Sequence, residues 1–180
     1  MRVFIAAELP EVWREELWQA GRALTRLGVR GRFTRRENFH LTLAFLGEVS
    51  QPGGVMAAMD RSNAPVFPLE TTQADRFVLR GGEIWWVGVV PHPSLLAAQA
   101  RLCDTLRSDG FVLDRRPFLP HITLARRVFS PGGVGPEALT GLLTPMETKI
   151  RALTLMRSER SRGGAVYTPI HRTPLGSCSG

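Results

Sequence analysis

The chain has 180 residues, 43% of them hydrophobic. That is enough to bury a core without staples, and no apolar run nears the roughly 20 residues of a membrane-spanning helix. There are 23 Lys and Arg against 16 Asp and Glu, a net charge of +7 with Lys149 as the sole lysine. Such a surface draws polyanions, and guanidinium suits bidentate phosphate contacts, although an Arg, Gly, Ala and Pro bias is also what a GC-rich genome writes.

Arg2–Ala7 is apolar and β-favouring, meets an acid at Glu8, and reads as a first strand and not as a secretory leader. Pro10 opens a helix whose Trp13, Leu17, Ala20, Leu24 and Leu27 form one apolar face, and Gly28 stops it. Phe39–Leu46 alternates as a strand, Gln51-Pro-Gly-Gly is a turn, Val55–Asp60 is a short helix and Val66–Thr71 a strand. Ile84–Val90 is the next strand, with Trp85 and Trp86 on opposite faces. Pro93 opens a helix that ends near Gly110. Cys103, among Ala100, Leu102 and Leu106, reads as core filler. With Cys178 in the tail it makes no disulfide framework, which suits a reducing cytoplasm. Strand Pro120–Arg126, turn Pro131-Gly-Gly, helix Glu137–Leu143 and strands Ile150–Arg157 and Val166–Ile170 complete the order, and residues 173–180 read as a frayed tail.

The two halves share this order: strand, long helix, strand, Pro-Gly-Gly, short helix, strand. Ala7 precedes His40 by 33 positions and Val90 precedes His121 by 31. The expected fold is α+β and bilobal: two antiparallel sheets related by a pseudo-twofold, helices on their outer faces and a cleft between them. One domain spans 1–180, with duplicated lobes at about 1–75 and 76–172. A doubly wound parallel sheet is the alternative. Nothing in the chain signals an oligomer, so a monomer is expected.

The repeat carries one motif twice. His40-Leu-Thr-Leu43 and His121-Ile-Thr-Leu124 lie 81 positions apart in matching strands. Strand side chains alternate faces, so His40 and Thr42 share one face, as do His121 and Thr123. Leu41, Leu43, Ile122 and Leu124 point into the core and pin the register. Two imidazoles with an unperturbed pKa near 6.5 can serve as one acid and one base. The threonine hydroxyls can donate to phosphate oxygens as charge develops, so the set suits a phosphodiester. Arg126 is a further phosphate candidate, although a regular strand turns it to the opposite face. Phe4, Phe33 and Tyr167 are candidates to stack on a base, with core packing the competing use. His92 and His171 read as surface loop and tail. Zinc needs three or four ligands at short spacing, and no such cluster is present, so neither metal nor cofactor is expected. No Gly-x-Ser-x-Gly occurs for a serine nucleophile.

These residues also resemble a known family. Arg2-Val-Phe-Ile-Ala-Ala-Glu-Leu-Pro10, Glu37-Asn-Phe-His-Leu-Thr-Leu-Ala-Phe-Leu-Gly-Glu-Val49 and Pro117-Phe-Leu-Pro-His-Ile-Thr-Leu-Ala-Arg126 look like the motifs of the two-histidine phosphoesterases. Within that superfamily they are similar to the RNA 2',3'-cyclic phosphodiesterases, also called 2'-5' RNA ligases. Phe33 stands where a Trp is common and Arg36 where a Pro is common. The resemblance implies metal-free hydrolysis of a terminal RNA 2',3'-cyclic phosphate to a 2'-phosphomonoester. It assigns His40 as proton donor to the 3'-oxygen, His121 as the base for water, and Thr42 and Thr123 to phosphate. The resemblance also implies reversible ligation, in which a 2',3'-cyclic phosphate and a 5'-hydroxyl make a 2'-5' linkage. Two other readings share the charge and the cleft: a non-catalytic RNA-end binding module, and an esterase for small nucleotides or 2'-5' oligonucleotides.

Overall fold

Apolar residues at every second position make strands that can bury one face, and apolar residues at steps of three and four make helices to cover it. In a computed structural model of the chain, which describes residues 1–176, these elements assemble as nine strands and four α-helices. In chain order they are β1 (Arg2–Glu8), α1 (Glu11–Arg26), β2 (Arg30–Phe33), β3 (His40–Glu48), α2 (Pro52–Arg61), β4 (Phe67–Leu79), β5 (Gly82–Val89), α3 (Pro93–Ser108), β6 (His121–Phe129), α4 (Ala138–Leu142), β7 (Glu147–Ile150), β8 (Ala152–Ser161) and β9 (Gly164–Pro174). One sheet has the order β3-β1-β8-β9 and the other β2-β6-β5-β4-β7, with every ladder antiparallel. The fold is therefore α+β, as expected.

The sheets do not divide the chain at residue 75. β2 comes from the first part of the sequence and β4 runs across residue 75, and both lie in the five-stranded sheet, while β8 and β9 come from the second part and lie in the four-stranded one. Three further differences have local causes. β2 is a strand because Arg30 and Arg32 pair with Phe129 and Arg126, although its own composition signals no strand. β4 runs to Leu79 because residues 80–81 close a two-residue hairpin onto β5, pairing Leu79 with Gly82. Residues 173–176 are anchored: the Thr173 hydroxyl donates to Asp60, Leu175 N–H donates to Arg151 O and Gly176 N–H to Ala64 O. The rest of the expected tail, Cys178 included, lies outside the described residues.

Both long helices end the same way. Gly28 and Gly110 sit at φ 93° and 87°. The residue after each donates back to the helix, Val29 N–H to Leu24 O at 3.1 Å and Phe111 N–H to Leu106 O at 3.0 Å. A left-handed residue at this position favours glycine. Leu27 caps the first helix and stays exposed at 52%, so it is not part of the buried face. α1 presents Gly21 to the Phe33 ring of the five-stranded sheet, and Gln99 of α3 donates to Leu43 O of the four-stranded sheet.

One continuous core joins the inward sides of both sheets and the helices. It includes Val3, Ile5 and Ala7 of β1, Trp85 and Val87 of β5, and Leu41 and Ile122 between the His and Thr of each motif. A smaller cluster of Phe4, Ala6 and Met156, with Tyr167 against it, covers the other face of the four-stranded sheet. Leu41 and Ile122 are both fully buried, and truncating such a side chain to Ala typically costs about 2–5 kcal/mol. Leu41→Ala and Ile122→Ala are each expected to lose that much in urea unfolding. A loss below about 1 kcal/mol would mean that these side chains do not hold the motif strands in register.

Candidate functional site

The two motif strands meet at the seam between the sheets, where Cα atoms of β3 and β6 come within 8 Å of one another. Each strand carries its histidine at its first residue, and each imidazole is anchored identically. His40 Nδ1 lies 2.7 Å from Asn38 O, and His121 Nδ1 lies 2.6 Å from Leu119 O. A carbonyl oxygen only accepts, so Nδ1 carries the proton and Nε2 holds the lone pair of each neutral ring. His40 Nε2 takes the Thr42 hydroxyl at 2.9 Å.

The segment before β3 fixes the Asn38 carbonyl. Residues Arg36–Asn38 form a short 3-10 turn. Arg36 ties it to α1 through Glu11 and through Glu15, the latter at 2.8 Å. Arg35 donates to Gly163 O, and Asn38 Nδ2 donates to Ala165 O at 2.8 Å on the β8–β9 hairpin. Asn38 is itself buried. Sequence reading did not single it out, and its position two residues ahead of the motif histidine was the available signal.

Both strands bulge after the threonine. In β3, Ile5 pairs with Ala44 and Ala6 with Thr42, leaving Leu43 as the extra residue. In β6, Trp85 pairs with Ala125 and Trp86 with Thr123, leaving Leu124. Leu43 and Ala44, and likewise Leu124 and Ala125, therefore both point inward and are buried. The next residue returns to the face of the histidine and threonine. This corrects the expectation of a regular strand: Arg126 is brought to the site side, close enough that its charge acts on both imidazoles. The matching residue in β3 is Phe45, which stacks on Phe4 with ring centroids 6.2 Å apart and carries the Arg2 guanidinium 5.2 Å above it.

Aromatic rings surround both histidines. Phe4 lies 4.8 Å and Tyr167 5.4 Å from the His40 ring, centroid to centroid. Phe77 lies 5.3 Å and Trp86 5.6 Å from that of His121. Phe4 is almost fully buried and Tyr167 is half-buried. Phe33, the third stacking candidate, pairs with Ala125 and packs on Gly21 of α1, so its ring faces the helix and not the histidines. Phe77 was missed because the strand before it was ended at Thr71. Phe-Val-Leu ahead of the Arg80-Gly-Gly turn was the hairpin signal. His92 caps α3, its Nδ1 accepting from Ser94 N–H. His171 is not in a tail: it lies in β9 with Nε2 2.9 Å from Asp60.

Burial lowers both histidine pKa values. His40 falls from 6.5 to about 4, chiefly through desolvation, with the Asn38 carbonyl opposing the shift and the Arg126 and His121 charges adding to it. His121 is lowered too, again mainly by desolvation, with the Leu119 carbonyl opposing and Arg126 adding. Arg126 forms no ion pair among the described residues. The site is thus two neutral imidazoles, two hydroxyls and an uncompensated guanidinium, an arrangement poised for an anion. Among the described residues no three His, Cys, Asp or Glu side chains cluster as metal ligands, and no helix is long and apolar enough to cross a membrane.

The chain is similar to known proteins in sequence and in fold. The family model described as the 2'-5' RNA ligase superfamily matches residues 10–162. The Escherichia coli K12 protein named RNA 2',3'-cyclic phosphodiesterase is 32% identical over 178 residues, covering 97% of this chain and 96% of that one. A Geobacillus stearothermophilus protein of the same name is 38% identical over 117 residues, 61% of this chain and 37% of that relative, so the chain spans well under half its length. The crystal structure of E. coli LigT complexed with 3'-AMP superposes with a TM-score of 0.79 at 31% identity, covering 97% of both chains. The resemblance read from the two motifs is thereby established, and the chain belongs to the 2'-5' RNA ligase superfamily.

Proposed function

We propose that this protein is an RNA 2',3'-cyclic phosphodiesterase that opens terminal 2',3'-cyclic phosphates to 2'-phosphomonoesters with its two histidines and no metal. The observation that carries this reading is the matched pair of imidazoles at the seam, each anchored at Nδ1, with Thr42 on Nε2 of His40 and Thr123 on the same strand face as His121. The names of the E. coli and Geobacillus relatives support the substrate class. As implied by the family resemblance, His121 Nε2 takes a proton from the attacking water and His40 delivers one to the departing 3'-oxygen. The Thr42 hydroxyl, which donates to His40 in the free protein, turns to a non-bridging oxygen together with Thr123. Arg126 neutralises the charge gathering on phosphorus. With a 5'-hydroxyl in place of water, the same ring opening forms the P–O5' bond, breaks the P–O3' bond and leaves a 2'-5' linkage. The cytoplasm is the compartment proposed for this work.

Turnover of a nucleoside 2',3'-cyclic phosphate in EDTA tests the reading. The wild type should be active, and His40→Ala and His121→Ala should each fall at least about 10²-fold, with 2'-phosphate as product. A silent wild type, or a variant close to wild-type rate, would sink it.

The pH dependence follows from the lowered pKa values. The reaction needs one protonated and one neutral ring, and kcat/KM reports the free enzyme. Both free-enzyme pKa values lie below 6.5, so the singly protonated pair is lost as pH rises through the upper of two macroscopic steps. kcat/KM should peak below about pH 6.5 and decline above it. The kcat profile should lie at higher pH, because a bound phosphate anion favours both imidazolium forms. Arg126→Ala removes a repelling charge and should move the alkaline limb of kcat/KM upward while lowering the rate. A limb that stays in place would show that Arg126 does not act on the histidines.

A further inference from the structure

Beyond Arg126, the site-side face of the five-stranded sheet continues onto β2, a four-residue strand with no role so far. In the β2–β6 ladder Arg32 stands directly opposite Arg126. Cross-strand partners share a face, and the neighbouring pair, Phe33 and Ala125, faces α1. Arg32 and Arg126 therefore lie on the side of His121 and Thr123. Arg32 is exposed and, like Arg126, has no ion pair or side-chain hydrogen bond among the described residues.

Two like charges directly opposite on a sheet repel and weaken the pairing, yet here the strands are drawn unusually close. A Cβ added at Gly31 would come within 3.1 Å of Arg126 O and 3.2 Å of Val128 Cα, so the glycine allows this approach without pushing the β6 backbone away. Thr34 fastens the end of the strand, with N–H to Leu124 O at 2.8 Å and hydroxyl to Thr123 O at 2.9 Å. The fold thus sets two uncompensated arginines opposite one another on adjacent strands, roughly 4.8 Å apart at the backbone, on the face that carries Thr123. An anion bound between or upon them turns that repulsion into attraction.

We propose that Arg32 is a specificity-determining residue that binds a second phosphate group, the one on the 5' side of the ribose bearing the cyclic phosphate. The inference rests on the cyclic phosphodiesterase reading and names the substrate more closely: a terminal nucleotide that carries a 5'-phosphate, and not a bare nucleoside cyclic phosphate. That phosphate can be a 5'-monophosphate or the internucleotide diester of an RNA chain, and guanidinium binds either bidentately.

Three substrates separate these cases: adenosine 2',3'-cyclic phosphate, the same compound with a 5'-phosphate, and the dinucleotide ApA ending in a 2',3'-cyclic phosphate. In the wild type both extended substrates should show higher kcat/KM than the plain nucleoside, and the advantage should shrink as salt rises. In Arg32→Ala the ratio of extended to plain kcat/KM should drop about tenfold, with Arg32→Lys intermediate. An advantage confined to the dinucleotide assigns the site to the diester, and one shared with the 5'-phosphate assigns it to phosphate as such. A wild type without any preference, or an Arg32→Ala variant that loses all three activities in proportion, overturns the inference and leaves the cyclic phosphodiesterase reading standing. Silence of the wild type on all three overturns both.

Discussion

The site depends on one constraint: a strand that must bury its neighbours' side of the core while keeping its polar side chains out of it. Two bulges meet this constraint. At Leu43-Ala44 and Leu124-Ala125 two successive residues turn inward, and the parity of the strand is reset. Without that reset, residue 126 would follow Ile122 and Leu124 into the core, and a guanidinium there would be prohibitively costly. Alanine is the second inward residue in both copies, and a larger side chain there would overpack a core that is already full. The bulge therefore puts Arg126 on the site side with His121 and Thr123, where regular alternation would put Ala125 there and force the charge inside.

The same local device also sets the electrostatics. Holding Nδ1 on the carbonyl two residues upstream fixes both tautomers and both ring planes. The flanking aromatic rings then remove water, and desolvation outweighs the carbonyl's opposing effect in each case. The repeat departs from symmetry where it matters for charge: Phe45 occupies one post-bulge position and Arg126 the other. A single guanidinium thus serves both imidazoles, and His40, buried more deeply, is depressed further. A ring whose conjugate acid has a pKa of about 4 gives up its proton readily but seldom holds one. The negative charge of a bound phosphate is what would load it.

Much of this was legible in the sequence. The alternation around His40 and His121 gave the strands, their inward residues and the shared face of His and Thr, because burial dictates register and register dictates orientation. The helices followed from their apolar faces and their glycine stops. What failed to show was whatever depended on partners far along the chain. β2 has the composition of a polar loop and becomes a strand only because β6 lies beside it. Phe77 reached His121 through a hairpin whose turn lay beyond the assumed strand end. Phe33 looked available for stacking, but its strand face was decided by Ala125 and Gly21. Arg126 carried an overlooked signal: a charge at a core-facing parity in an otherwise apolar strand is itself evidence of a bulge.

The exchange of strands between the sheets explains why the two motifs act as one site. The chain crosses between the sheets four times, from β1 to β2, β2 to β3, β3 to β4 and β7 to β8. Neither sequence half contains all the strands of either sheet, so neither can complete a sheet alone. The segment joining β2 to β3 passes directly through the site: Thr34 grips Thr123, and Asn38, four residues on, anchors His40. The two histidines are thereby tied to each other through five residues of chain as well as across the seam. A hinge between independent lobes would let the imidazoles part. This connection opposes such parting, so the separation of the rings is a property of the fold and does not have to be assembled anew for each substrate.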